Sequence, residues 1–245
     1  MNEPVGTVLS SRRAYAIVVA AGAGRRMAMT TNKPFLDLAG IPVIIRTLSA
    51  FESADSVSGV ILVASPSECD SMKQLVAGSS LTGILAVVPG GTTRQQSVYH
   101  GLTALSQNTV LHPDTPVIVH DGARCLVSGE TINRVVEGII KYGACGAAVP
   151  AKDTVKLVSP SGNVLQTPER SGVWLMQTPQ GAIWRHLWSA YEQAESENWQ
   201  TTDDLSVLEQ AGIGTSVVMG DYRNFKLTTR EDLSYAIWLM GQSND

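Results

Sequence analysis

The chain has 245 residues, 44% of them hydrophobic and 16% charged, a balance that excludes a disordered or fibrous chain and suits one α/β domain, or one and a half, with a sizeable core. Its net charge of −4 argues against a general nucleic-acid binder, and no run of about 18 apolar residues exists to span a membrane. Three cysteines, Cys69, Cys125 and Cys145, are odd in number, far apart and without metal-ligand spacing, which predicts reduced thiols in a cytoplasmic protein.

In chain order, residues 1–13 read as a disordered leader and residues 14–245 as one domain. Ser10-Ser11-Arg12-Arg13 before an apolar stretch superficially resembles a twin-arginine export signal, but that stretch is needed as the first core strand. The strand, Ala16 to Ala20, empties into a small-residue loop, Ala20 to Gly24, followed by Arg25, Arg26 and, farther on, Lys33. Small side chains let a ligand lie on the main chain, and backbone N–H groups in such a loop can converge on an anion beside the three basic residues. A polyphosphate is the simplest ligand; a tight turn without a ligand is the competing reading. Gly22-Ala23-Gly24-Arg25-Arg26-Met27 lacks the third small residue of the dinucleotide fingerprint, and no Gly-Lys-Ser/Thr of a P-loop is present.

Ile44, Ile45, Leu48 and Phe51 have helical spacing. Val57 to Ala64 is a near-continuous apolar run suited to a parallel strand covered on both faces. Ser67 to Ala77 reads as a helix and Ile84 to Val88 as a third strand. This alternation predicts a doubly wound, mostly parallel sheet. The third strand ends in Pro89-Gly90-Gly91-Thr92-Thr93-Arg94, a second glycine turn expected to face the same crevice as the first. Val117 to His120 is the next strand, ending in His120-Asp121-Gly122-Ala123-Arg124. A carboxylate at a strand tip with an arginine three residues on suits a metal-assisted phosphate reaction, with Asp121 on Mg²⁺ and Arg124 fixing the loop or meeting phosphate. A capping Asp in a structural ion pair is the alternative.

After a helix from Thr131 to Tyr142 and a strand from Ala147 to Pro150, the pattern changes. Residues 153–158 alternate polar and apolar, turn through Ser159-Pro160-Ser161-Gly162-Asn163, and return through 164–167. An exposed two-stranded arm, about 152–172, is marginal alone and is expected to pack on a second subunit. Val173 to Thr178 regains the sheet, and Gln177-Thr178-Pro179-Gln180 reads as another strand-end loop. A helix from Ile183 to Ser196 follows, then Thr202 or Asp203 capping a helix to Ala211. The chain closes with a strand from Thr215 to Met219, Lys226 in a short strand, and a helix from Arg230 to Met240.

Together these motifs resemble one family, the 2-C-methyl-D-erythritol 4-phosphate cytidylyltransferases of non-mevalonate isoprenoid biosynthesis. The resemblance rests on Ala20-Ala21-Gly22-x-Gly24-x-Arg26-Met27 with Lys33, Gly90-Gly91-x-x-Arg94-x-x-Ser97-Val98, and His120-Asp121-x-Ala123-Arg124. It continues through Asp153-Thr154-Val155-Lys156, Thr167-Pro168-x-Arg170, Gln177-Thr178-Pro179-Gln180, Thr202-Asp203-Asp204 and Asn224-x-Lys226. It implies a Rossmann-like nucleotidyltransferase fold and transfer of a cytidylyl group from CTP, with Mg²⁺ and release of pyrophosphate. By the family's pattern Arg26, Lys33, Lys226 and Asp121 carry the catalysis, and Asp121 sits near the metal. Ala20, Ala21, Gly22, Gly24, Gly91, Ser97 and Arg124 belong to CTP binding. Thr154, Arg170, Thr178 and Thr202 belong to the acceptor, with Thr154 and Arg170 supplied by the neighbouring subunit's arm in a homodimer.

Asn32 stands where the family usually has proline, Cys125 likewise, Gly122 replaces a usual alanine, and Thr92 replaces an acidic residue found in some members. None removes a charge from this scheme. Two alternatives remain at this stage: a ribitol 5-phosphate cytidylyltransferase with the same CTP machinery, and a catalytically silent nucleotide-binding dimer module. Retention of Arg26, Lys33, Asp121 and Lys226 together argues against the second.

Overall fold

The computed structural model describes residues 13–22 and 33–242. Arg26, Arg25, Gly24 and the expected leader up to residue 12 lie outside the described residues, as does the side chain of Lys33. Arg13 is tied down, its Nε donating to Asp55 O at 2.9 Å.

One seven-stranded sheet organises the molecule. Its strands are β1 (Ala14–Ala20), β4 (Val57–Ala64), β5 (Ile84–Pro89), β6 (Pro116–Asp121), β7 (Ala144–Pro150), β10 (Trp174–Ile183) and β11 (Ser216–Met219). They run in the spatial order β11-β7-β10-β6-β1-β4-β5. Every neighbouring pair is parallel except those made by β10, which is antiparallel to both β6 and β7. All of β4 but Ser58 is buried, as a strand covered on both faces requires. Two ribbons complete the strands: β2 (Asp37–Leu38) with β3 (Ile41–Pro42), and β8 (Leu157–Val158) with β9 (Val164–Gln166) in the arm.

Helices cover both faces. On one, α1 (Val43–Glu52), α2 (Cys69–Ala77) and α4 (Gly129–Tyr142) bury Ile44, Leu48, Phe51, Met72, Ile132, Val135 and Ile139. On the other, α3 (Arg94–Asn108), α5 (Trp184–Ser196) and α6 (Asp204–Gln210) bury Val98, Leu102, Leu105, Leu187, Tyr191 and Leu208. The i, i+3, i+4, i+7 spacing of Ile132, Val135, Val136 and Ile139 gives α4 its buried stripe, each side chain contributing about 1.5–3 kcal/mol. Ser128 caps its start by accepting from the Thr131 N–H, and Gly143, at φ 86°, ends it. The last helix, α7 (Arg230–Gly241), closes a smaller cluster around Leu38, Val43, Cys125 and Leu227. Among the described residues no helix is long and apolar enough to cross a membrane.

Three local expectations need correction. Gln177-Thr178-Pro179-Gln180 is not a strand-end loop but the middle of β10, which crosses it with a cis Thr178–Pro179 bond and a register shift against β7 between Met176 and Gln180. Its polar, proline-containing composition is that of a loop; residues 177–179 have no ladder partner on β6 or β7, and the strand is held by the pairing of residues 174–176 with β7 before them and of Gln180 with both neighbours after them. The arm's ladder is shorter than the 153–158 and 164–167 expected, with Leu157–Val158 pairing against Val164–Gln166. Lys226 lies on no strand: the backbone from 221 to 229 is irregular and is held by individual hydrogen bonds described below.

Candidate active site

The two glycine turns meet. Ala20 at the tip of β1 pairs with Ala64 of β4, whose carbonyl accepts the Gly90 N–H at 2.8 Å. A Cβ on Gly90 would stand 2.6 Å from Ala21 Cβ and 2.7 Å from Ser97 Oγ, so only glycine lets the two turns approach this closely. Ser97 Oγ accepts from the Gly91 N–H (3.1 Å) and donates to Thr93 O (2.8 Å), shaping the turn that leads into α3. Ala20, Ala21, Gly91 and Ser97 are thus brought together. Gly22 is exposed, and a Cβ there would meet nothing among the described residues.

Asp121, at the tip of β6, is the electrostatic centre. Its Oδ1 accepts from Arg94 Nε at 3.1 Å and its Oδ2 from Lys226 Nζ at 2.8 Å, with Arg124 Nε 3.9 Å from the same Oδ2. Burial would push this carboxyl's pKa up, but Arg94, Lys226 and Arg124 hold it well below the usual carboxylate range. Arg94 also makes a two-pronged pair with the fully buried Asp204, at 2.9 and 2.7 Å. Burial would lower the Arg94 pKa, yet the two carboxylates raise it above its ordinary value. Burial lowers that of Arg124. Three cations against two carboxylates leave one surplus positive charge, and the Lys226 side chain, 41% exposed, can present it to a ligand.

Hydrogen bonds with β10 place Lys226. Gln177 Nε2 donates to Asp221 O at 2.8 Å, and buried Asn224 donates through Nδ2 to Thr178 O at 2.8 Å. Arg124 Nη1 donates to Asn224 O (2.8 Å) and the Leu227 N–H to Ala123 O (2.9 Å), so Lys226 is pinned from both sides.

Beneath Asp121, the Thr178 hydroxyl accepts from the Asp121 N–H at 3.1 Å and lies 3.0 Å from His120 Nδ1. His120 Nε2 is 3.1 Å from Arg124 O. A carbonyl only accepts, so Nε2 carries the proton and Nδ1 accepts from the Thr178 hydroxyl. Burial lowers the His120 pKa to about 4, with Asp121 partly opposing, which keeps the ring neutral at pH 7. Thr178 therefore holds Asp121 from within the core.

The other expected acceptor residues stand apart. Thr154 and Arg170 are exposed on the arm, Arg170 donating through Nη1 to Lys152 O at 3.1 Å. Among the described residues nothing bonds either to Asp121, Arg124 or Lys226. Thr202 is exposed on the rim of a groove of about 400 Å³ that also includes Met176, Asp203, Glu209 and Val217. Asp203 is the N-cap of α6, in a capping box with Ser206.

Sequence reasoning gave no role to Arg94, Asp204, Tyr191 or Gln180. Arg94 and Asp204 each lie inside a recognisable motif, but nothing in either motif says that the two meet. Gln180 Oε1 accepts the Asp204 and Leu205 N–H groups at 3.0 Å each, an interior side chain capping a helix. Among the described residues no group of three or more His, Cys, Asp and Glu could hold a metal. One carboxylate with both oxygens engaged does not make a protein-built cage for Mg²⁺, and would suit the ion only where most of its ligands come from elsewhere.

The family model described as 2-C-methyl-D-erythritol 4-phosphate cytidylyltransferase matches residues 14–242. A relative so named from Pelotomaculum thermopropionicum is 42% identical over 222 residues, covering 90% of this chain and 91% of that one. A relative from Desulforudis audaxviator described as "Bifunctional enzyme IspD/IspF" is 44% identical over 92% of this chain, which spans 56% of its length. The crystal structure of 4-diphosphocytidyl-2C-methyl-D-erythritol synthase from Anaerococcus prevotii superposes with a TM-score of 0.80 at 30% identity, covering 94% of this chain and 96% of that one. The 2-C-methyl-D-erythritol 4-phosphate cytidylyltransferase of Francisella tularensis gives 0.77 at 31% identity, covering 92% and 99%. Since the match runs from the first core strand to the last helix, this chain belongs to the 2-C-methyl-D-erythritol 4-phosphate cytidylyltransferase family.

Proposed function

We propose that the Asp121 cluster is where this CTP-dependent cytidylyltransferase joins CTP to 2-C-methyl-D-erythritol 4-phosphate, giving 4-diphosphocytidyl-2-C-methyl-D-erythritol and pyrophosphate. The observation that carries this reading is the convergence of Arg94, Arg124 and Lys226 on one carboxylate, with a surplus cation open to solvent. An acceptor phosphate oxygen forms a bond to the α-phosphorus of CTP while the bond to the β-phosphate oxygen breaks, and the electron pair leaves with pyrophosphate. Two anions must approach each other, and charge builds on the α-phosphate oxygens; preorganised cations offset both.

Lys226 stabilises the reacting α-phosphate. The buried Nε of Arg124 has no hydrogen-bond partner among the described residues and is a donor left for a ligand oxygen. No general base is needed because the attacking phosphate is already ionised at neutral pH. Arg26 and Lys33 hold the triphosphate and the leaving pyrophosphate. Ala20, Ala21, Gly22, Gly24, Gly91 and Ser97 surround the cytosine, where backbone groups satisfy its polar edge and leave no room for a purine. Mg²⁺ entering with CTP would have Asp121 as a protein ligand and would neutralise phosphate charge.

The acceptor phosphate is held by Thr154 and Arg170 of a second copy's arm, with Thr202 near the acceptor and Thr178 acting through Asp121. The arm's Leu157, Val158, Val164 and Leu165 are 48–70% exposed, which supports packing against that copy. The three buried, free cysteines support a cytoplasmic setting. Pyrophosphate release from CTP and Mg²⁺ with methylerythritol phosphate, set beside ribitol phosphate, tests the reading. Release with neither acceptor would sink it, and a ribitol preference would reverse the acceptor.

A further inference from the structure

Arg94 stands in an unusual place. It is the first residue of α3, where the helix dipole disfavours a cation, yet its side chain is three-quarters buried. Two carboxylates from distant segments compensate: Asp204 takes Nη1 and Nη2, and Asp121 takes Nε. Asp204 accepts a third bond, from the Tyr191 hydroxyl at 2.6 Å, and Gln180 holds its backbone N–H. A second link runs alongside, from Thr201 Oγ1 to Gln95 Oε1 at 2.9 Å. Compared with apolar packing of similar volume, a buried carboxylate–guanidinium pair adds little stability, so stability alone does not account for this arrangement.

Its geometric effect falls on Asp121. Each of the three guanidinium nitrogens of Arg94 has a carboxylate partner, which holds the fork on both sides. Its Nε fixes Asp121 Oδ1, leaving Oδ2 turned to Lys226. We propose that the Arg94–Asp204 pair is a positioning device for the reaction: it fixes the Asp121 carboxylate and, through it, the Lys226 ammonium at the reacting phosphate. The pair joins the start of α3, next to the Gly90–Gly91 turn, to the start of α6, next to Thr202. The inference rests on the role given to Lys226 above.

Arg94→Lys keeps the charge and loses the fork. The expected result is a kcat lowered about 10²-fold with both KM values within about threefold, the signature of a misplaced group rather than a lost binding contact. Tyr191→Phe removes one bond to the same Asp204 oxygen and leaves both ion pairs; it should lower the melting temperature with kcat within about twofold. If Arg94→Lys loses no more kcat than Tyr191→Phe, or loses CTP affinity in proportion, the proposal is overturned. Should Arg94→Lys not fold, Asp204→Asn is measured for the same loss of kcat at constant KM. If neither folds, the pair is a folding element and the proposal is also overturned. Lys226→Ala run in parallel separates the two readings: unchanged kcat there removes the role of Lys226, whereas a loss there without one in Arg94→Lys removes only this inference.

Discussion

Lys226 Nζ lies 2.8 Å from Asp121 Oδ2, although 105 positions separate the two residues in sequence. One ammonium is thereby both anchored and open to solvent. Truncating it as Lys226→Ala should lower kcat about 10²- to 10³-fold, by analogy with a lost oxyanion donor. Steady-state kinetics check this; a rise in KM at constant kcat would reassign Lys226 to substrate binding.

Arg170 should behave differently. Arg170→Ala is expected to raise the KM for the acceptor phosphate with a smaller effect on the KM for CTP. If the arm works on the neighbouring copy, refolding a mixture of Arg170→Ala and Lys226→Ala chains should restore part of the activity, since some heterodimers then carry one intact site. A fully active monomer on size-exclusion chromatography would falsify the arm's role.

Thr178 connects the Asp121 backbone to His120 at 3.1 and 3.0 Å inside the core. Thr178→Val keeps the volume but strands the Asp121 N–H, so urea unfolding should register a loss of about 1–3 kcal/mol. Thr178→Ser retains the hydroxyl and should recover most of it. Equal losses in both variants would mean that the methyl group, not the hydroxyl, matters.

The neutral His120 sets an acid limit on stability. Its folded pKa is about 4, below the ordinary 6.5, so between those values the unfolded chain takes up a proton that the native chain refuses. Its contribution is fully present above pH 6.5 and is lost as pH falls toward 4, with a slope of up to about 1.4 kcal/mol per pH unit. Asp121, also held low, acts farther down, below about pH 4. In metal-free buffer His120→Gln should flatten the upper window only; an unchanged slope would place the responsible group elsewhere.

Gly90→Ala tests the meeting of the two glycine turns. The added methyl would press on Ala21 Cβ and Ser97 Oγ, so the turn must shift, at about 1–3 kcal/mol in stability. The KM for CTP should rise more than that for the acceptor. Gly22→Ala, whose new methyl would meet nothing among the described residues, should cost far less stability, and a larger loss there would contradict the geometry.

Patterns along the chain sufficed for the architecture. The apolar run of Val57 to Ala64 suits a strand covered on both faces, and the spacing of Ile44, Leu48 and Phe51 suits a helix buried on one side; both elements are present. Glycine turns after β1 and β5, and Asp121 at the end of β6, marked the crevice because strand ends and glycine are local features. Local chemistry misled at Gln177 to Gln180, where a polar, proline-containing stretch looks like a loop. Ladder partners far away in sequence, on β7 before it and on both β6 and β7 from Gln180 onward, carry the chain through the sheet as β10.

Sequence alone therefore determined the fold class, the family and most of the residues that carry charge. Only the tertiary structure decided which of those charges meet. Arg94 reaches Asp121 across 27 residues and Asp204 across 110, and Lys226 reaches Asp121 across 105. Hydrogen bonds and ion pairs act over about 3 Å, and no periodicity encodes which distant pair will come that close. That choice was made by the order of strands in the sheet and by β10, whose Gln177 side chain and Thr178 carbonyl hold the loop carrying Lys226 against the tip of β6.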